Sequence, residues 1–585
     1  MTRRGLGAGL GLFALVTVVT FVGAGVRAQI PGDAPPAGGA AWAEAVLRGE
    51  DAGAAPSYDA PGGATLVHAW REGSLVARFV GEASLAPAVA AAREDFLARG
   101  LDPADPALRF SVEVVLGEGP LLRGVPFLDA LSLLPLNDGM VAEHAGARAW
   151  VSPEELRSSG LYDGGVVTGF PDFTFGSPVE GLVGRLARDL GVSKATLDAE
   201  GSVRRFRAVT LTDAAPYPRE VPLTEEALRT AAREGAAFLM RHQLPDGRWT
   251  YVYDGASGRE RALPYNLPRH AGTTYFVAQV ARSQDDAAAR DAARRALSWV
   301  YRTRRRQCGA HPCLEIHGTV DAGSAALTVV AASEVLLAGP DPTARALVEG
   351  LTGFLRAQQR PDGELMHEYD LEADAPIDVQ HMYYSGEAAF ALLRAHDALG
   401  DPANLEAARR LMAHLTGAGW DFLGSRYYYG EEHWTCIAAG EARERIDSPE
   451  AADFCRRWLE WNDGLQMDAE DHPLDAAGAY GVSAFLLPRL TPVGSRTEAF
   501  IGTYQLLAHR GEDTTVARRV VERGLGALLR WRWAPGPTHL LADPEAAQGG
   551  LPGSPVDLTV RNDFVQHAGS SWVRWSDVLK AERGE

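Results

Sequence analysis

The sequence has no excess of basic residues, few cysteines and only one long apolar run. Its 585 residues include 57 Lys and Arg against 76 Asp and Glu, a formal net charge of −19. Because phosphate binding needs a basic surface, this balance argues against a nucleic-acid partner. With 46% hydrophobic and 23% charged residues, the composition also excludes a disordered, collagen-like or coiled-coil protein. The length predicts more than one folding unit.

The single apolar run lies at the N terminus. Arg3 and Arg4 precede an uncharged, mostly apolar stretch over residues 5–26, and the small residue Ala28 follows. This pattern is typical of a secretory signal peptide, here over residues 1–28. An uncleaved anchor is the alternative, since the run is long enough to span ~30 Å of hydrocarbon. We therefore expect an exported protein, periplasmic or extracellular, with no stable membrane span after cleavage.

Export changes how the four cysteines are interpreted. In an oxidising compartment they favour two disulfides. Of the three possible pairings we prefer Cys308–Cys313 with Cys436–Cys455, because both loops are short. The C-x4-C pair also resembles a metal knuckle, but no second close pair completes a zinc site. We expect neither a metal nor a cofactor.

The first third of the mature chain has a mixed α and β pattern. Residues 29–62 are rich in Ala, Gly and Pro and are predicted to be a linker. Over residues 63–215, β-like runs alternate with helical stretches, which predicts an α+β domain. The runs are Thr65–Trp70, Leu75–Phe79, Phe110–Leu116, Ala147–Val151 and Phe206–Leu211, with helices at Ala86–Arg99 and Val179–Leu190. The order of Ser84-Leu-Ala, Phe110-Ser-Val-Glu-Val-Val, Asp138-Gly-Met and Trp150-Val-Ser-Pro resembles the AMMECR-type family over residues 63–160, without that family's Arg-Gly-Cys signature.

From residue 222 onward, strand-like runs disappear and helices alternate in two kinds. The first kind is amphipathic and rich in Arg and Glu; it lies near 224–242, 286–303, 341–358, 403–417, 448–461 and 513–531. The second kind is small and apolar; it lies near 270–283, 320–337, 382–398, 433–443, 495–508 and 564–579. An amphipathic helix covers a surface, whereas one that is apolar all round is buried on every side. Six outer helices around six inner ones predict a mainly α fold, an (α/α)6 toroid over residues 222–580, with an open solenoid as the alternative.

The connections from outer to inner helices carry the candidate chemistry. Pro-Asp-Gly turns at Asp246 and Asp362 are interpreted as structural, because Asp and Gly satisfy a tight bend. His, Arg, Asp and aromatic residues recur where the inner helices begin, and in a toroid these starts converge on one mouth. The candidate substrate-binding residues are Trp249, Tyr251, Tyr265, Arg269, His270, His381, Tyr383, Tyr428, His433, Trp434, Arg561 and His567.

Residues 222–580 resemble the six-hairpin glycosidase superfamily in this helix pattern. The resemblance implies a carbohydrate site in the funnel, commonly that of a glycoside hydrolase, lyase or epimerase, acting on an oligo- or polysaccharide. It transfers no catalytic residue. Aromatic faces suit sugar rings, and Arg269 and Arg561 suit a uronate, sulfate or phosphate. We expect a glycoside hydrolase, with a polysaccharide lyase or a sugar epimerase of the same fold as the alternatives. Glycosidic cleavage needs two carboxyl groups that act as acid and base, for which the candidates are Asp378, Glu432 and Asp563.

Other interpretations remain open at this point. Asp563 and Asp321 could be helix N-caps, and the histidines could simply brace loops. Five histidines (His270, His317, His381, His433 and His567) could converge on a metal. Gln243-x-x-Asp-Gly-x-Trp249 resembles the QW repeat of terpene cyclases, although their Asp-x-Asp-Asp acid is absent. A non-catalytic binder of glycan or peptide would use the same kind of pocket.

Overall fold

The computed structural model describes residues 36, 38–56, 58, 61–81, 84–121, 123, 133–162, 179–212, 221–417, 433–468, 476–480, 488–534 and 538–584. The predicted signal peptide lies outside these residues. None of the described helices combines the length and the apolar character that a bilayer crossing requires.

Residues 38–212, here called the N-terminal unit, form one antiparallel sheet with helices on it. Its strands are β1 Thr65–Arg71, β2 Ser74–Gly81, β3 Arg109–Pro120, β4 Asp138–His144, β5 Ala147–Val151 and β6 Ser202–Leu211. Its helices are α1 Gly39–Arg48, α2 Leu85–Ala98, α3 Pro153–Ser158, α4 Val179–Asp189 and α5 Lys194–Glu200. The strand order is β2-β1-β3-β6-β4-β5. The predicted strands and helices are found here, together with β4, α1, α3 and α5, which sequence reasoning did not predict.

The two edges of this sheet curl toward each other. Arg78 on β2 donates a hydrogen bond to the backbone carbonyl of Trp150 on β5, at 2.5 Å. Apolar side chains such as Leu66, Val141 and Phe206 pack with Trp150 in one buried cluster. The sheet is therefore strongly curved around a core of its own.

Part of the predicted linker is folded. Within residues 29–62, helix α1 buries Trp42 and Leu47 against Val89 and Phe96 of α2. The linker prediction is wrong for residues 39–48. It relied on the many Ala and Gly residues and overlooked the apolar face formed by Trp42 and Leu47.

Two sets of helices alternate along residues 221–584. The outer set is α6 Glu225–Arg241, α8 Ala287–Thr303, α10 Pro342–Ala357, α12 Pro402–Thr416, α14 Pro449–Asp463 and α16 Thr515–Trp531. The inner set is α7 Leu267–Ser283, α9 Ala322–Ala338, α11 Tyr384–Leu399, α13 Trp434–Ala442, α15 Leu490–His509 and α18 Asn562–Glu582. A short helix, α17 Pro544–Ala547, precedes α18. Most outer helices begin at a capping Asp, Thr or Ser, such as Asp286 and Asp341, whose side chain accepts a backbone N–H of the first turn.

The inner helices form a closed ring. Each packs against the next, and the last, α18, packs against the first, α7. The outer helices pack on the inner ones from outside, with α6 against α18. The predicted (α/α)6 toroid is confirmed, and the open solenoid is wrong because α18 returns to α7.

Glycine lets two inner helices approach closely. Gly440 on α13 faces Gly502 on α15, and a Cβ on Gly502 would lie 2.4 Å from the carbonyl oxygen of Cys436.

Cys436 is bonded to Cys455, and Cys308 to Cys313, so the preferred disulfide pairing is confirmed. The first bond joins inner helix α13 to outer helix α14, and the second closes a hairpin.

Short strands do occur among the connections, contrary to the prediction that strands disappear after residue 222. They are β7 Val252–Asp254, β8 Arg259–Glu260, β9 Arg305–Cys308, β10 His311–Ile316, β11 Thr319–Asp321, β12 Glu368–Asp370, β13 Ala375–Ile377 and β14 Thr559–Arg561. They form two small sheets, β13-β12-β11-β10-β9 and β14-β7-β8. Runs of two to six residues are too short to show a period of two against the surrounding turns.

The Gln-x-x-Asp-Gly turns are braces. The side-chain amide of Gln243 donates to the carbonyls of Gly247 (3.3 Å) and Ala292 on the next outer helix (3.0 Å). Gln359 makes the equivalent pair of bonds, to Gly363 and Ala407. Gly247 has a φ of +102°, and a Cβ there would lie 2.5 Å from the carbonyl of Arg295. The motif therefore ties neighbouring outer helices together, which explains it without cyclase chemistry.

Close packing of α13 on α15 predicts that Gly502→Ala is destabilising. The new methyl group would meet backbone rather than a flexible side chain, so we expect a loss of about 1–3 kcal/mol in the free energy of unfolding, measured with urea. Gly526→Ala is the control, because that helical glycine has only the end of Arg530 nearby and should be neutral or stabilising. Equal effects of the two substitutions would contradict the close approach.

Candidate functional site

The inner helices begin around one cavity of about 400 Å³, here called the funnel. Its lining comes from the first turns of α7, α11, α13, α15 and α18 and from one residue of α9. The lining residues are Asn266, Pro268, Arg269, Leu327, Tyr383, Tyr384, Glu387, His433, Trp434, Arg489, Thr491, Pro492, Ser495, Arg561, Asp563, Phe564, Gln566 and His567. Helix starts that are far apart in sequence thus meet at one mouth of the ring, as expected.

A larger cavity of about 610 Å³ lies where the inner helices end. Its charged side chains are engaged with one another: Glu334 accepts from Arg282 at 2.8 Å, and Arg394 pairs with both Glu334 and Glu441. Its lining has one aromatic ring, Tyr504, and one imidazole, His509, whereas the funnel lining has four aromatic rings and two imidazoles beside its carboxylates. We therefore place the candidate site in the funnel despite its smaller volume.

Asp563 joins the start of α18 to the start of α7. One carboxylate oxygen accepts from Arg561 Nε at 3.0 Å; the other accepts from Arg561 Nη2 at 2.8 Å and from Arg269 Nε at 3.1 Å. Burial alone would raise the pKa of Asp563, but the charges of Arg561 and Arg269 outweigh it and lower the pKa below its ordinary value. Asp563 is therefore an anion that orients two arginines, suited to a base or an anchor and unsuited to a general acid. It is not the N-cap of α18, since that position is Arg561.

Two histidines lie side by side in the funnel. The rings of His433 and His567 have centroids 5.0 Å apart and stand nearly perpendicular. His567 Nδ1 lies 3.1 Å from a carboxylate oxygen of Glu498, and 3.3 Å from the Gln566 amide nitrogen. An ionised Glu498 can only accept, and the shorter contact then requires the proton on Nδ1 and leaves Nε2 as the basic nitrogen.

Glu498 is completely buried on α15 and has cationic support. Arg574 Nε lies 3.4 Å from it, and Arg574 also donates to Tyr275 Oη at 3.0 Å. Arg574 thus provides a charge of opposite sign beside Glu498 in a buried site. The His567–Glu498 pair is thus held by residues deep within the ring.

Six of the predicted substrate-binding residues line the funnel: Arg269, Tyr383, His433, Trp434, Arg561 and His567. Tyr251 is close to them, with its ring 5.8 Å from the Arg269 guanidinium carbon. His381 instead pairs with Glu368 at 2.7 Å and is outside this lining. Tyr428 lies outside the described residues.

Three predicted binding residues are structural. Trp249 is buried and its indole donates to Thr274 Oγ1 at 2.9 Å. Tyr265 Oη lies 2.7 Å from His270 Nδ1 and accepts from the backbone N–H of Trp249. His270 is fully buried, and burial lowers its pKa to about 3. These residues stabilise the first connection by bonding to one another and to α7, so we do not propose that they contact substrate.

The three predicted catalytic carboxylates do not assemble in the part of the chain that the structure describes. Asp378 has 60% of its side chain exposed, pairs with Arg360 at 2.9 Å and is outside the funnel lining. Glu432 lies outside the described residues. Asp563 shares the funnel with a carboxylate that was not predicted, Glu387 on α11.

Sequence reasoning missed Glu387, Arg489, Glu498 and Gln566. Glu387 and Glu498 sit within otherwise small and apolar inner helices, and a buried charge in such a helix is rare unless it is paired. A glutamate inside such a helix could therefore have been singled out from the sequence. Also within the described residues, no three His, Cys, Asp or Glu side chains are grouped closely enough to hold a metal ion.

The toroid is similar to solved structures of sugar-modifying enzymes. D-mannose isomerase is 14% identical, with 62% of this chain and 100% of that chain covered and a TM-score of 0.48. A cellobiose 2-epimerase from Bacillus thermoamylovorans B4167 is 10% identical (60% and 99% covered, TM-score 0.46), and an unsaturated glucuronyl hydrolase specific for heparin is 11% identical (61% and 98%, TM-score 0.43). No protein-family model and no curated protein matches the sequence. The toroid itself is shown by the closed ring of inner helices, and the chemistry of the funnel must be argued from its own residues.

The lowered pKa of Asp563 predicts a pH-dependent contribution to stability. Asp563→Asn should lower the free energy of unfolding by about 1–3 kcal/mol near neutral pH, since both arginines lose a charged partner. Because the folded pKa lies below the ordinary value of 3.8, this difference should be full above it and shrink as the pH falls through the folded value. Urea unfolding at several pH values measures it. Asp378→Asn, at an exposed ion pair, should cost less than about 1 kcal/mol, and an equal cost would contradict the buried pairing.

Proposed function

We propose that this protein is an exported carbohydrate-active enzyme that moves a proton on a sugar, as a sugar isomerase or epimerase does. The observation that carries the proposal is the pair of imidazoles 5.0 Å apart, one of them backed by a buried carboxylate. Export is supported by the N-terminal signal pattern and agrees with the two disulfides. The funnel volume of about 400 Å³ is within the range of small-molecule sites.

Each part of the funnel has a role in such a reaction. Glu498 holds the Nδ1 proton of His567, so Nε2 is the base that removes the proton from the carbon next to the carbonyl of an open-chain sugar. The electron pair of that C–H bond forms a carbon–carbon double bond, and the π pair of the carbonyl moves to its oxygen, which gives an enediolate. Arg269 and Arg561, oriented by Asp563, stabilise the negative oxygen. For the isomer, the proton is returned to the former carbonyl carbon while the proton of the neighbouring hydroxyl passes to the negative oxygen. For the epimer, His433 as the second acid delivers a proton to the opposite face of the original carbon, and the carbonyl re-forms.

Glycoside hydrolysis is the second candidate, favoured by Asp563 and Glu387 lining the same cavity. It would need one of them to donate a proton to the leaving oxygen. Asp563 is paired with two arginines and has a lowered pKa, so Glu387 would have to be the acid. We rank this below proton transfer because His567 contacts a buried carboxylate and has a second imidazole beside it.

The test is to incubate the purified protein with aldoses, ketoses and disaccharides in D2O and to follow exchange of carbon-bound hydrogen by NMR. We expect solvent deuterium in a substrate or product, and His567→Asn and His433→Asn should each lower the rate by about 10²–10⁴ because the base or acid is lost. His381→Asn, at a histidine outside the funnel lining, is the matched control and should stay within a few-fold. Release of reducing ends without exchange would favour hydrolysis. Turnover unchanged in both funnel variants would reject the assignment, and binding without turnover would indicate a non-catalytic receptor.

A further inference from the structure

Residues 553–563, here called the strap, run from the N-terminal unit into the funnel wall. At its start, Val556 is buried in the apolar cluster of the N-terminal unit, together with Met140, Leu182 and Leu186. The carbonyl oxygen of Pro555 accepts a hydrogen bond from Arg157 Nε at 3.0 Å. One side chain of the strap is thus part of another unit's core.

The residue after Val556 holds a funnel arginine. Asp557 Oδ2 accepts from Arg489 Nη2 at 3.3 Å, and its other oxygen accepts from the backbone and hydroxyl of Thr559. The backbone N–H of Asp557 donates to Ser554 Oγ at 3.1 Å, which closes a tight loop. The position of Arg489 therefore follows the position of this loop.

The same loop sets the start of α15 and the end of β14. The backbone N–H of Leu490 donates to the carbonyl of Gly553 at 2.8 Å. A Cβ on Gly553 would lie 2.3 Å from Asp557 Oδ2, so the loop needs glycine there. Strand β14 then pairs with β7 and delivers Arg561 to the funnel.

A second contact fixes the two units to each other near the strap. His539 Nε2 lies 2.7 Å from Glu154 of α3, and the His539 ring packs 5.5 Å from Trp70. Glu154 also pairs with Arg157 at 3.5 Å, so the residue that holds Pro555 is itself anchored. His539, Glu154 and Trp70 are all buried, which is costly for charged groups unless the partners stay together.

We propose that the N-terminal unit positions the binding wall of the funnel, with Val556 and Arg157 as positioning residues that act through Asp557 on Arg489 and along β14 on Arg561. None of the unit's described residues belongs to the funnel lining, yet the lining residues next to the strap take their places from the unit. The proposal rests on the proposed function only for the choice of sugar ligand.

The experiment uses the full-length protein with Val556→Asp, the milder Val556→Ala, and Arg157→Met. A charge or a gap at Val556 should free the strap, so we expect backbone hydrogen exchange over residues 553–561 to rise by about tenfold or more, a readout that needs no substrate. With a sugar that turns over, KM should rise by about 10–100-fold because Arg489 and Arg561 bind substrate. The kcat should fall by a smaller factor, since the histidines stay in place and only Arg561 also stabilises the negative oxygen. Val556→Leu keeps an apolar side chain in the cluster, so it should leave the hydrogen exchange of the strap and KM near their wild-type values.

Leu197→Ala is the matched control, because Leu197 belongs to the same apolar cluster but not to the strap. It should loosen the N-terminal unit and leave exchange over residues 553–561 and KM near wild type. Equal effects of Leu197→Ala and Val556→Ala would overturn the proposal in favour of general destabilisation. Unchanged exchange of the strap in Val556→Asp would also overturn it. If no sugar is turned over, the proposed function fails, and the exchange result still decides whether the strap is positioned.

Discussion

The contact between the first and last inner helices holds the rest of the toroid in place. Gly569 on α18 receives the ring of Phe276 on α7, and Gly272 on α7 lies against Gln566 on α18; a Cβ on Gly569 would be 2.1 Å from that ring. These residues are almost three hundred positions apart, so the contact closes a very long loop, whose entropic cost grows only slowly with length. It brings Arg269 to Asp563 and makes one funnel from the starts of five inner helices and one residue of α9.

Charge is the second constraint on this ring. Buried carboxylates and arginines follow one another from the funnel toward the opposite mouth: Glu498, Arg574, Glu441, Arg394 and Glu334. Each buried charge is tolerable only because the next one has the opposite sign. The arrangement holds Arg574 against Glu498 beneath His567, so the hydrogen-bond partner of the proposed base is positioned by residues that a substrate never touches.

The sequence was sufficient for the toroid and only partly sufficient for the site. Helix period and the contrast between Arg-rich and apolar helices predicted all six pairs. This was possible because the distribution of apolar residues around a helix shows whether it is buried on one side or on all sides. Funnel residues such as Arg561 and His567 were found because they mark inner-helix starts. Trp249 and His270 carry the same residue types at the same kind of position, yet their side chains turn into the wall, and only three-dimensional packing decides that direction. Glu498 was missed because its role depends on His567, which lies on another helix and is 69 residues away.

The role proposed for the N-terminal unit likewise could not be predicted from the sequence. Val556 looks like an ordinary apolar residue in a Gly- and Pro-rich loop, and nothing nearby in the sequence indicates that its partners lie before residue 190. Contacts over such separations come from tertiary structure alone. Helix α1 shows a related limit, because it is folded although its segment has the composition of a linker. The burial of two large side chains, Trp42 and Leu47, stabilises it despite the many small residues around them.

The proposed chemistry depends on Glu498 fixing His567 with its proton on Nδ1 and with Nε2 as the base. The most direct measurement is the tautomer of His567 by nitrogen NMR on histidine-labelled protein, with His567→Asn to assign the signal. We expect a protonated Nδ1 and an unprotonated Nε2 at pH values where the ring is neutral. A neutral ring protonated on Nε2 would contradict it.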